Sequence, residues 1–124
     1  MIKFRAWNQI DSEYINEINA VMSLDGSHIW WDINDSGEMK YEDDPGNYKL
    51  EQFTGLKDTS GKEIYEGDIL ENRKYRSIVK FANGKFLADV VGTISRFVLI
   101  GETHGSKVIG NVHENPELLE EDND

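Results

Sequence analysis

Few residues in this 124-residue chain have types and spacings that could do chemistry. Glu66 and Asp68, two residues apart in "YEGDIL", offer a carboxylate pair for acid–base work or metal binding. Turn carboxylates more commonly accept hydrogen bonds from nearby backbone N–H groups, and a catalytic pair also needs a substrate cleft, so the turn role is preferred. The imidazoles are His28, His104 and His113. None has the His-x-x-x-His or His-Glu-x-x-His spacing that sets two nitrogens on one helix face, and they read as scattered surface or strand-end residues. With no cysteine there is no thiolate zinc site, disulfide or cysteine nucleophile. No Gly-x-Ser-x-Gly elbow occurs, and "GETHGSK" (101–107) lacks the spacing of a phosphate loop and reads as a flexible loop. The expectation is a non-enzyme with no cofactor and no metal.

Two features suit binding instead. Between residues 73 and 96, six bases (Arg73, Lys74, Arg76, Lys80, Lys85, Arg96) face one acid, Asp89, a local net of +5. Arg73, Lys74, Tyr75, Arg76, Lys80 and Lys85 form a candidate nucleic-acid edge, in which phosphate attraction would combine with base stacking. The competing reading is a solubilising edge. Trp30, with His28 and Asp32 at alternate positions of the same segment, is a candidate protein anchor, since an exposed Trp on a β surface often marks a partner. The alternative is a Trp30 covered by the other lobe or by the amino-terminal strand.

Charge ranks the partners. The chain carries −11, and "ENPELLEEDND" (114–124) holds six acids and no base. This tail is expected to be solvated and disordered over 118–124, and the net charge disfavours non-specific contact with nucleic acid or anionic membrane. The first-choice partner is therefore a protein and the second a nucleic acid. The amino-terminal segment has no apolar h-region and no stretch has membrane-spanning length, which gives a cytoplasmic expectation.

Strands must position these residues. "IKFRAW" alternates as a half-buried strand; Tyr14, Ile15, Ile18, Val21 and Met22 could line a helix face, but the run into "DGS" favours a strand over residues 18–24. A three-residue loop at Asp35–Gly37 would set Ile33 opposite Met39 and Trp31 opposite Tyr41. "EDDPGNY" is a polar break between two lobes. In "SIVKFANGKFLADVV" the Asn83-Gly84 pair predicts a tight hairpin with Phe81 opposite Phe86 and Val79 opposite Ala88 on the core face, leaving Tyr75 as the aromatic open to contact. "RFVLIG" is too uniformly apolar to face water and reads as an interior strand. Asn115 and Pro116 open a short helical turn as N-cap and first residue.

In "QFTGLKDTSGKEIYEGDIL" (52–70), two turns surround a short strand, with Asp58, Thr59, Ser60 and Gly61 as turn formers. With "MIKFRAW" before it and "VIGNVHENPELL" after it, this block resembles the YopX family of phage and prophage proteins, in family order and over nearly the whole chain. The resemblance implies a small, mostly β protein encoded by a bacteriophage or prophage, acting in the cytoplasm of the bacterial host. It brings no catalytic residue or cofactor. Gly55, Gly61, Gly67 and Asp68 match the motif and take structural turn roles from it, as Asn83 and Gly84 do from their own hairpin. The looser stretches "SHIWWDINDSGEMKYEDDPGN" and "NRKYRSIVKFANGKFLADVVG" are where a specific function would reside. The expected fold is mainly β: an amino-terminal β-meander (1–48) packed on a small SH3-like, partly open barrel ending in a short helical turn (49–117), then an acidic tail (118–124). The expected role is that of an accessory protein that binds a host or phage protein.

Overall fold

The structure, a computed structural model, describes residues 3–22, 29–32, 39–42 and 48–120. It is mainly β, and the chain divides into two units, Met1–Phe53 and Thr54–Asp124. The last acidic residues, 121–124, lie outside the described residues.

The first unit is an antiparallel sheet of β1 (Phe4–Asn8), β2 (Glu13–Met22), β3 (Ile29–Asp32), β4 (Met39–Glu42) and the first part of β5 (Tyr48–Lys57), in the order β4-β3-β2-β1-β5. Strand β2 begins at Glu13 rather than near Ile18. Opposite Phe4 and Ala6, β2 advances three residues, from Ile15 to Ile18. This bulge converts a period of two into an i, i+3 step, which is why Tyr14, Ile15 and Ile18 mimic a helix face in sequence. Residues 23 and 24 of the expected strand lie outside the described residues.

The β3–β4 register also differs from expectation. Trp30 pairs with Tyr41, Trp31 with Lys40 and Asp32 with Met39, one residue away from the expected pairing of Trp31 with Tyr41. Ile33 and the expected loop at 35–37 lie outside the described residues.

Strand β1 is not half-buried: Arg5, Ala6, Trp7 and Asn8 are all buried. Arg5 is accommodated because Glu51 stands opposite it on β5. The Arg5 Nε donates to Glu51 Oε1 at 2.8 Å, and the Tyr14 hydroxyl donates to the same oxygen at 2.9 Å. The guanidinium lies 4.5 Å from the centre of the Tyr14 ring, and the ring of Trp7 meets Tyr14 edge-on with centres 4.9 Å apart.

In the second unit the last part of β5 pairs with β6 (Glu63–Tyr65). A five-stranded sheet, curled into a half-barrel, is built from β7 (Asp68–Glu71), β8 (Arg76–Ala82), β9 (Lys85–Val90), β10 (Arg96–Val98) and β11 (Lys107–Asn111), in the order β10-β9-β8-β7-β11. Ile64, Leu70, Val79, Ala88 and Leu99 form its core, with Leu56, Phe86 and Val108 packed against them. The central hairpin has the expected register, and Asn83 (φ 54°) and Gly84 (φ 79°) supply the two left-handed residues that a tight turn of matching twist requires.

Three local expectations are corrected. "RFVLIG" contributes a strand only over Arg96–Val98, followed by a 3-10 turn at Leu99–Gly101, and of these residues Leu99 alone is buried. The reason is position: β10 is the last strand of its sheet and has one neighbour. Phe81 is 47% exposed despite its core-side register, because the hairpin tip runs past the core. "GETHGSK" is a pinned turn, with Thr103 and Ser106 buried and the Ser106 carbonyl accepting from Thr59 N–H at 3.2 Å.

The 3-10 turn Pro116–Leu119 starts where expected but takes in Leu118 and Leu119, which were expected to belong to the disordered tail, and the Asn115 side chain does not cap it. Its Oδ1 instead accepts from Asn111 N–H at 3.2 Å, at the end of β11. This seat explains Gly110: a Cβ there would come within 2.5 Å of Asn115 Oδ1.

Candidate binding surface on the second unit

The two outer strands of the half-barrel are treated differently. Along β11, Val108 N–H donates to Asp58 Oδ2 at 2.9 Å and Asn111 N–H to Asn115 Oδ1 at 3.2 Å, so side chains occupy that edge. Along β10 no such side chain stands guard among the described residues. The hydrogen bond from Val90 N–H to the Ser95 carbonyl, 3.0 Å, sets the ladder phase, as does closure of the hairpin at Ala82 and Lys85. Alternation from that point makes Phe97 and Ala88 the hydrogen-bonded pair and turns the N–H and C=O groups of Arg96 and Val98 outward.

This open edge is apolar. Phe97 is 43%, Val98 50% and Ile100 63% exposed, and Ile94, in the turn before β10, is fully exposed. Natural sheets usually blunt such an edge with charge, proline or a covering element. A run of large apolar side chains beside unpaired backbone groups is costly in water unless something covers it.

Phe97 also forms one wall of a shallow hollow of about 480 Å³, lined further by Asn72, Arg73, Lys74, Tyr75 and Gly105. Asn72 shapes the β7–β8 turn, its Oδ1 accepting from Lys74 N–H at 2.8 Å and from Tyr75 N–H at 2.9 Å. Tyr75 stacks on Phe97 with ring centres 5.8 Å apart and planes inclined by 15°. Its hydroxyl donates to Glu102 Oε2 at 2.9 Å. Burial, then the bond to the Glu102 carboxylate, raises the Tyr75 pKa above its ordinary value, so the phenol stays a donor. Arg73 and Lys74 are exposed at the rim and make no ion pair among the described residues.

A second hollow of about 530 Å³ is lined by residues that include Ile78, Lys80, Asp89, Ile94, Arg96 and Leu119. Its charged side chains are engaged with one another, two cations sharing one carboxylate. Arg96 grips Asp89 through Nε and through Nη2 at 3.0 Å, and Lys80 Nζ lies 3.4 Å from the same carboxylate. The Arg96 hydrogen bonds are the main reason the Asp89 pKa is lowered, burial working against them.

The sequence-predicted residues are thus dispersed. Arg76 is engaged by Glu71 at 2.9 Å and donates to the Leu118 carbonyl, and Lys80 is engaged by Asp89. Lys85 is exposed but lies at the opposite end of β8 from Arg73 and Lys74, about 20 Å away at roughly 3.3 Å per residue. Tyr75 is half-buried, and among the residues whose side chains are described the exposed aromatics are Phe81 and Phe97, which sequence reasoning placed inside. His28 lies outside the described residues, and Trp30 and Asp32 are described only through the backbone pairing of their strand. Asp68 is buried and its Oδ2 accepts from Tyr65 N–H at 2.8 Å, a turn role like those of Gly61 (φ 86°) and Gly67 (φ 87°), whereas Gly55, expected in a turn, lies inside β5 with a φ of 82°. His104 is exposed, and His113 belongs to a turn in which its N–H donates to Asn111 Oδ1 at 3.1 Å. Among the described residues no cluster of His, Asp and Glu could hold a metal ion, and no helix is long and apolar enough to cross a membrane.

A curled half-barrel with one guarded edge and one open apolar edge defines a small all-β scaffold. The model of the family described as YopX protein matches residues 3–120, and the chain belongs to the YopX family. Among solved structures, it is similar to protein EF1440 from Enterococcus faecalis, with 30% identity, a TM-score of 0.68, and coverage of 97% of this chain and 99% of that one. It also shares its fold with protein yopX from Bacillus subtilis, at 22% identity and a TM-score of 0.61, covering 97% of each chain. No curated protein matches the sequence.

Proposed function

We propose that this chain is a non-catalytic accessory protein of a phage or prophage that works by binding a host or phage protein, and that β10 and its flanking residues are the contact surface. The observation that carries this reading is the exposed apolar row Ile94, Phe97, Val98 and Ile100 on an unguarded strand edge. Burying such side chains drives association, and the outward backbone groups add direction. Trp30, His28 and Asp32 remain proposed as a second contact. Phage or prophage origin rests on the family resemblance.

Nucleic-acid binding is the second reading, favoured by the Tyr75–Phe97 stack beside Arg73 and Lys74. It stands behind the first because Arg76 and Lys80 are held by Glu71 and Asp89, and Lys85 is remote from the stack.

One experiment separates the readings. Tagged protein, its Phe97→Lys variant and its Trp30→Ala variant are used to capture partners from host lysate, with and without nuclease. The expected result is a host protein retained after nuclease by wild type and depleted at least tenfold by Phe97→Lys. Retention unchanged by Phe97→Lys would exclude the β10 surface. Retention abolished by nuclease would install the nucleic-acid reading.

A further inference from the structure

We infer that the partner docks on β10 as an added β-strand and carries a carboxylate side chain that reaches Arg73 and Lys74; this rests on the protein-binding reading above. Strand addition follows from the ladder phase. The N–H and C=O groups of Arg96 and Val98 face away from β9, and among the described residues nothing accepts or donates to them. The contrast with β11, where Asp58 and Asn115 take up the corresponding N–H groups, shows that this sheet can close an edge with side chains and does so on one side only.

The acidic character of the partner follows from charge. The protein carries −11 overall, yet residues 73–96 carry +5. Within that segment Arg76 is paired with Glu71, and Lys80 and Arg96 share Asp89. Arg73 and Lys74 make no ion pair among the described residues, and they rim the hollow whose wall is Phe97. The Glu102 carboxylate accepts from the Tyr75 hydroxyl. An extended segment beside β10 presents alternate side chains to the Phe97 side, where an apolar residue meets the Tyr75–Phe97 stack and an acidic one meets the two cations. A nucleic acid would use the cations and the stack but not the strand edge.

Val98 permits a clean test. Its φ of −68° and ψ of 130° are those of proline in extended chain, and Phe97 before it is in a strand, so Val98→Pro removes the outward N–H with the backbone unstrained. Val98→Ala trims the side chain and keeps the N–H. The probes are fluorescein-labelled eight-residue peptides alternating Val and Thr, with Glu, Lys or Ser at one central position, titrated against the full chain at low and high salt.

The Glu peptide is expected to bind at least tenfold more tightly than the Lys peptide, with the difference shrinking as salt rises. Val98→Pro should weaken it about tenfold while Val98→Ala does so by less than threefold, with equal thermal midpoints. The double variant Arg73→Glu, Lys74→Glu should reverse the preference towards the Lys peptide. Equal binding by Val98→Pro and Val98→Ala would overturn strand addition, and equal binding of Glu and Lys peptides would overturn the acidic partner. Failure of every peptide would overturn the inference, while the protein-binding reading stands or falls separately on the Phe97→Lys capture.

Discussion

Replacing Asp58 by Ala is expected to destabilise the second unit by about 3–4 kcal/mol, because one buried carboxylate satisfies four donors and each charge-assisted bond contributes on the order of 1.5–3 kcal/mol before relaxation. Its Oδ1 accepts from Ser60 N–H at 2.8 Å, Ser60 Oγ at 2.7 Å and Lys62 N–H at 2.9 Å, and Oδ2 accepts from Val108 N–H at 2.9 Å. The carboxylate thus closes its own turn and ties that turn to the edge of β11. Burial alone would raise its pKa, but these four bonds outweigh burial and lower it from 3.8 to about 2. A depressed folded-state pKa means the stabilisation is complete above the unfolded value and disappears as pH falls through the folded one. Wild type should therefore lose about 2 kcal/mol between roughly pH 4 and pH 2 from this group. Asp58→Asn, which cannot titrate, should be less stable at pH 7 and flatter across that window. Urea titrations at pH 7, 4 and 2 measure both effects; an Asp58→Asn protein with the wild-type acid slope would refute the assignment.

The second large effect belongs to the first unit. Glu51→Ala should cost about 3–5 kcal/mol, since it removes the carboxylate that accepts from the buried Arg5 guanidinium. The Tyr14 hydroxyl loses its acceptor in the same step. Replacing both charged partners by apolar residues, Arg5→Met with Glu51→Leu, should restore most of the loss, because desolvation offsets much of the attraction in a buried pair. Urea unfolding followed by Trp fluorescence reads the difference. A double variant as unstable as Glu51→Ala would show that the pair itself, rather than an uncompensated charge, holds the sheet.

Legibility in the sequence tracked the range of the interaction. Asn83-Gly84 was readable because the turn demands left-handed backbone at two adjacent residues, and few residue types supply it. The turn roles of Gly61, Gly67 and Asp68 were readable for the same local reason. The Asp58 turn was half readable: its bonds to Ser60 and Lys62 are local, whereas Val108 is fifty residues away in sequence. Arg5 and Glu51 are 46 residues apart and gave no local sign of pairing. The β2 bulge disguised a strand as a helix face, because one extra residue breaks a period of two. Most consequential was "RFVLIG", since an apolar run has the same composition on a buried strand as on an open edge. Only the sheet order distinguishes them, and it places β10 last. The candidate surface was thus hidden where sequence reasoning saw core, while Arg73, Lys74 and Tyr75 on its rim were visible through charge and aromatic content.

The most direct test of an open β10 edge that binds protein is residue-resolved amide hydrogen exchange with and without the nuclease-resistant partner captured from lysate. In the free protein the Phe97 amide, bonded to Ala88, should exchange slowly, and the Arg96 and Val98 amides at close to open-chain rates. With partner bound, the Arg96 and Val98 amides should slow at least tenfold. Unchanged exchange at both residues, with protection appearing elsewhere, would contradict the account.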